Sequence, residues 1–125
     1  MAVTAGNGQF VAGGGFNTNL TSPDGMTWTP QSPGTTNQFF TGVGFGNGVF
    51  VALGYPNRLF TSVNGVVWTE QVTGVTNLLR DVAYGDGTYV VVGESGTVLI
   101  STNAETWTSH VAETNRTLGA VTFAR

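Results

Sequence analysis

The sequence predicts an all-β fold, a β-propeller segment of three four-stranded blades, and three observations carry that prediction. A set of closely related motifs recurs about every 40 residues, which is the mark of a repeat architecture. Within each copy, short β-branched and aromatic runs alternate with Gly, Asn, Asp and Ser turns. Helical periodicity is absent from all three copies.

The copies align as GNGQFVAGG from Gly6, GNGVFVALG from Gly46 and GDGTYVVVG from Gly85, each followed by LTSPDGMTWT, FTSVNGVVWT or ISTNAETWT. Trp28, Trp68 and Trp107 keep register. The repeats occupy approximately 1–40, 41–79 and 80–117 of a single domain, with 118–125 as a strand of the next or a partner blade. In the third copy a strand over 80–85 leads through Gly85-Asp86-Gly87 into a second over 88–92. Glu94-Ser95-Gly96 turns the chain into a third strand over 97–101, and Thr102-Asn103-Ala104-Glu105 into a fourth over 106–111. Four such strands make one propeller blade, and radial repetition leaves only short, protected edges.

The segment TSPDGMTWT at Thr21, with weaker copies at Thr61 and Ser101, resembles the Asp-box of the bacterial neuraminidase repeat. The wider pattern is similar to blades of propellers related to photosystem II assembly factors and of many bacterial and phage proteins, and it covers essentially the whole chain. Asn64 and Asn103 replace Asp, and Ala104 stands where Gly is expected. In this motif an Asx side chain accepts hydrogen bonds from its own turn, Gly25 and Gly65 permit a positive φ, and each Trp lies between neighbouring blades. Truncating a buried Trp of this kind costs roughly 3–5 kcal/mol.

Propeller rings close with about four to eight blades, so three leave two raw apolar faces. The sequence therefore predicts homo-oligomerisation, with six blades as a dimer or nine as a trimer. The C-terminal LGAVTFAR repeats the blade opening seen in LRDVAYG, whereas the N-terminal strand has Ala5 where Phe45, Tyr84 and Phe123 stand. That points to a strand shared between subunits.

Composition excludes several function classes. Charged residues are only 9% of the chain, lysine is absent, and a net charge of −3 offers no footprint for a phosphate backbone, so nucleic acid is not an expected partner. With no cysteine and one histidine, His110, the usual nitrogen and sulfur metal ligand sets cannot be assembled, and no cofactor is expected. No apolar run is long enough to cross a bilayer, and the N-terminus lacks a signal-peptide pattern, so the chain reads as soluble, unexported and without a membrane partner. Localisation stays open. Sequons at Asn19 and Asn115 match what a Thr- and Asn-rich chain shows by chance.

The GNG and GDG pieces are hairpin turns: no helix follows them and no lysine accompanies them. A sialidase-like hydrolase, raised by the neuraminidase resemblance, needs clustered arginines, but Arg58, Arg80, Arg116 and Arg125 hold non-equivalent repeat positions. A paired-carboxylate glycosidase would have to draw on Asp81, Glu94 and Glu113, and Asp81 reads better as a channel-lining charge.

The loops joining strands two and three, and those joining blades, share one face of a propeller. They carry Phe16, Asn17, Tyr55, Asn57, Arg58 and Glu94, and a recurrent Thr-Asn pair that places Asn37, Asn77 and Asn115. Neutral hydrogen-bonding groups beside aromatic rings suit a glycan, and the competing reading is that Thr-Asn caps a turn. The expected function is a non-enzymatic, self-assembling binding or scaffold module, lectin-like if the loop face takes sugar. The alternatives are a purely structural virion or surface component and a propeller fragment made to study ring assembly.

Overall fold

The computed structural model describes residues 2–14, 19–31, 40–111 and 116–122. Three antiparallel sheets follow one another along the chain, each a simple meander in sequence order. Blade 1 comprises β1 (Ala2–Gly6), β2 (Gln9–Gly13), β3 (Asn19–Ser22) and β4 (Thr29–Pro30). Blade 2 comprises β5 (Phe40–Gly46), β6 (Val49–Gly54), β7 (Arg58–Ser62) and β8 (Thr69–Gln71). Blade 3 comprises β9 (Leu79–Gly85), β10 (Thr88–Gly93), β11 (Thr97–Ser101) and β12 (Thr108–Val111).

Turn chemistry sets the register. Asn7-Gly8, Asn47-Gly48 and Asp86-Gly87 all take positive φ, as a two-residue hairpin loop of right-handed twist demands. The flanking pairs Gly6↔Gln9, Gly46↔Val49 and Gly85↔Thr88 close each hairpin in the same register. The expected turn over 94–96 is a single 3-10 turn, and the fourth strand of blade 3 begins at Thr108, two residues later than the sequence suggests.

The sheets pack face to face through their first strands, β1 against β5 and β5 against β9. Alternation along β6 then divides the core in two. Phe50 and Ala52 join Phe40, Val43, Phe60 and Trp68 against Val11 of blade 1. Val51 and Leu53 join Leu59 against Leu79, Val82, Tyr89 and Leu99 of blade 3. Blade 2 is therefore apolar on both faces, as a sheet buried on both sides requires. Close approach needs glycine at two places: the Phe45 ring lies on Gly6 and the Tyr84 ring on Gly46, where a Cβ would overlap the ring. Tyr89 donates its hydroxyl hydrogen to the Gly46 carbonyl across the same interface, and burial raises its pKa.

The outer faces differ from the inner ones. Val3 is 61% exposed, although its repeat equivalents Val43 and Val82 are 8% and 6% exposed. Phe10 is 37% exposed against 0% for Phe50 and 1% for Tyr89. Trp68 is buried as expected, but Trp28 and Trp107 are only half-buried, because Trp28 stands on the open face of blade 1 and Trp107 at the margin of the second core cluster. At the other end, Val90, Val98 and Ile100 of blade 3 are half-buried, where Val51 and Leu59 of blade 2 are fully buried.

Candidate functional site

The three Ser-x-Asx turns have one geometry. Ser22, Ser62 and Ser101 each donate through Oγ to the Oδ1 of Asp24, Asn64 and Asn103, at 3.1, 3.0 and 3.1 Å. The same Oγ accepts from the backbone N–H of Gly25, Gly65 or Ala104, at 2.7, 2.9 and 2.8 Å. Each Oδ1 accepts two further backbone N–H groups, Met26 and Thr27, Val66 and Val67, or Glu105 and Thr106. The N–H groups of Thr27 and Met26 hold the Asp24 carboxyl below its ordinary pKa. Acid and amide are thus interchangeable here, since only one carbonyl-type oxygen is used, and the turn consumes its own polar groups.

The blade 3 turn meets the preceding blade through Ala104, buried in the core between blades 2 and 3, and the blade 2 turn docks on blade 1 through hydrogen bonds. Asn7 donates to the carbonyls of Gly48 and Val63, Gln9 to Asn64, and Asn19 to Gly65. Asn19 is only 3% exposed, so this sequon lies within the blade contact. The turn of blade 1, with Gly25 exposed, has no such seat. The groove beside the blade 2 turn, about 270 Å³, has Asn103, Ala104 and Glu105 of blade 3 as one wall. The corresponding groove on blade 3, lined by Ile100, Ser101, Asn103, Thr106 and Thr108, has no wall from a following blade.

Of the predicted loop residues, Phe16, Asn17, Asn37 and Asn115 lie outside the described residues. The others gather around blade 2. Asn57 donates to the Val75 carbonyl at 2.7 Å and its own backbone carbonyl accepts from the Thr73 hydroxyl, so the β6–β7 loop is tied to the β8–β9 connection. Leu79 N–H donates to Pro56, and Glu94 N–H donates to Leu78, which brings the 94–96 turn to the same place. Tyr55 is 53% exposed and Asn77 is half-buried. Glu94 faces Arg80 at 3.8 Å.

Arg58 forms a bidentate pair with Glu70, Nε to Oε2 at 2.8 Å and Nη2 to Oε1 at 2.6 Å, with its guanidinium 5.1 Å from the centre of the Phe60 ring. The carboxylate raises the Arg58 pKa and the guanidinium lowers that of Glu70. Glu70 was not among the residues singled out, yet hairpin register would have found it: Phe60 stands opposite Glu70, which puts Arg58 diagonally across on the same face. Asn57, Arg58, Glu70, Val72 and Val75 line an open groove of about 440 Å³ beside the outer strand β8, with Val72 87% exposed.

Asp81 has a contact that the sequence did not suggest. Its Oδ1 accepts the Val82 N–H and its Oδ2 accepts the Val121 N–H, each at 2.9 Å, so the carboxylate anchors the C-terminal segment. Among the described residues no group of three His, Cys, Asp or Glu side chains could hold a metal ion.

No protein family's sequence profile matches the chain, and no curated protein matches it. Solved structures do. "YCF48 bound to D1 peptide" superposes with a TM-score of 0.78 over 94% of this chain and 42% of that one, at 17% identity. The fold is that of a β-propeller segment similar to YCF48. "YCF48 from Cyanidioschyzon merolae" gives a TM-score of 0.77 at 21% identity, covering 91% of this chain and 40% of that one. A protein of the GH130 family, described as containing mannoside phosphorylases and glycoside hydrolases, gives 0.52 at 16% identity, covering 94% and 50%. The chain therefore spans about two-fifths of the YCF48 structures it resembles. The likeness to the YCF48 structures is one of fold, three antiparallel four-stranded blades in chain order.

Proposed function

We propose that this chain is a self-assembling segment of a propeller ring, and that the ring is a non-enzymatic binding or scaffold module. The observation that carries the reading is the inequality of equivalent positions. Val3 and Phe10 are open at 61% and 37%, while their counterparts in blades 2 and 3 are at most 8% exposed. An apolar set built for a neighbour and lacking one is an interaction surface. The open face of blade 3, with Val90, Val98 and Ile100, is apolar like the face that blade 2 turns to blade 3, which favours a further copy docking on it head to tail. A cyclic dimer then has six blades, within the usual range, and a trimer nine.

We assign binding to the loop face of blade 2. Its exposed Tyr55, the Arg58–Glu70 pair and the exposed Val72 offer a ring, paired charges and an apolar contact beside the outer edge of β8. The YCF48 neighbour is described as bound to a peptide, which favours a polypeptide ligand at the corresponding ring. The lectin-like reading rests on Tyr55 alone, since the Asn57 amide is spent on Val75.

Light scattering coupled to size exclusion tests the assembly. Two chains per particle is the expected mass, three would give the nine-bladed ring, and a folded monomer would overturn the reading. Peptide and glycan arrays probed with the assembled protein test the binding role. Binding that weakens tenfold or more in Tyr55→Ala or Arg58→Ala supports it, and flat arrays for the intact protein leave the scaffold role alone standing.

A further inference from the structure

The C-terminal segment poses a conflict of places. Leu118 N–H donates to the Gly93 carbonyl at 2.9 Å, as Phe40 N–H donates to the Gly14 carbonyl at 2.9 Å. Gly14 and Gly93 hold one position of the repeat, and so do Phe40 and Leu118. Residues 118–122 therefore start where the first strand of a following blade starts. Gly96 N–H donates to Arg116, and Val121 N–H to the Asp81 carboxylate, which fixes the segment against blade 3 at both ends. It has no sheet partner among the described residues, and Leu118 is half-buried where Phe40 and Leu79 are 4% and 0% exposed.

A second copy docked head to tail would bring its own β1 to this same place. Only one of the two strands can pair with β2 of that copy. β1 is the weaker candidate: it offers Val3 and Ala5, both exposed, while residues 118–122 add Leu118 as the apolar anchor that Phe40 and Leu79 supply elsewhere.

We propose that residues 118–122 are the first strand of a blade whose other three strands come from a second copy of this chain, displacing that copy's β1. The proposal rests on the ring-completion reading above. The exchange replaces one ladder with a repeat-equivalent one, so few hydrogen bonds are lost, and exchange of a strand between protomers is a low-cost route to an oligomer. The repeat dictates the register. Val121 takes the place of Val3 opposite Ala12, and Thr122 that of Thr4 opposite Val11.

The chain has no cysteine, so introduced pairs report cleanly. Opposed residues of an antiparallel pair lie within disulfide reach. Ala12→Cys with Val121→Cys is expected to give, on oxidation, chains covalently linked into the mass of the native particle. Val3→Cys with Ala12→Cys is expected to stay unlinked in that particle. A native oligomer that forms the 3–12 link and not the 12–121 link would overturn strand exchange while leaving self-assembly intact. A 12–121 link within one chain would also overturn it. A monomer in light scattering would remove both readings.

Discussion

Gly65 and Ala104 occupy one position of the repeat with the same left-handed backbone, φ +75° and +64°. Their surroundings differ. A Cβ on Gly65 would lie 2.8 Å from the Val11 Cγ2, whereas the Ala104 methyl is accommodated, 1% exposed, in the core between blades 2 and 3. Gly65→Ala therefore combines left-handed strain with overpacking and should cost about 2–4 kcal/mol. Ala104→Gly should be nearly neutral, because relief of about 1 kcal/mol of strain offsets the loss of a buried methyl worth about 0.8 kcal/mol. Urea unfolding at fixed protein concentration measures both. Asp24 makes a different test in the same turn. Its folded pKa lies below the unfolded value near 4, so its contribution is present above that value and is lost as pH falls through the folded pKa. Asp24→Asn should leave stability at neutral pH unchanged and lessen the acid-side loss below about pH 4. Loss of stability at pH 7 would mean that the negative charge itself is needed.

At the scale of the element, each blade repeats one plan, and its strands owe their stability to the neighbour they meet. Trp68 packs 6.2 Å from Phe40 in a closed interface, while Trp28 packs 6.4 Å from Phe10 on an open face. Trp68→Ala should cost roughly 3–5 kcal/mol. Trp28→Ala should cost the isolated chain less than half of that, since less area leaves water, and thermal unfolding of the two variants compares them. Trp28 and Trp107 donate through Nε1 to the carbonyls of Gly25 and Ala104; the buried Nε1 of Trp68 has no partner among the described residues, and the equivalent Gly65 carbonyl accepts from Asn19 of blade 1 instead. Strands, hairpins and the Ser-x-Asx turns were legible in the sequence because each follows from local chemistry: two positive-φ residues make the hairpin, and one Asx oxygen makes the turn. The candidate site was less so. Arg58 was visible as a loop-edge charge, but its pairing with Glu70 depends on register across a strand, and the role of Asp81 depends on a segment 40 residues away. The unequal burial of Val3 and Val43 could not be read locally at all, because it is decided by whether another sheet is present.

At the scale of the whole molecule, that inequality has a direction. One open face offers Val3, Phe10 and Trp28, and the other offers Val90, Val98 and Ile100. A head-to-tail contact uses both faces once per interface, whereas an isologous contact pairs one face with itself. A buried, unpaired carboxylate is strongly unfavourable in either case. Phe10→Glu and Ile100→Glu should therefore each reduce the assembled particle to monomer in light scattering, and each should do so while keeping the β-sheet signal in circular dichroism, since both residues sit at an open face of the single chain. Mixing the two variants restores no undamaged ring, because in a two-chain particle one interface joins the wild-type faces and the other joins two carboxylates. A weak heterodimer is expected from such a mixture, and none from either variant alone. Sensitivity to Phe10→Glu without sensitivity to Ile100→Glu would identify an isologous dimer of blade 1 faces. In that case the C-terminal segment would sit away from the interface, and the ring would have to be completed by other blades.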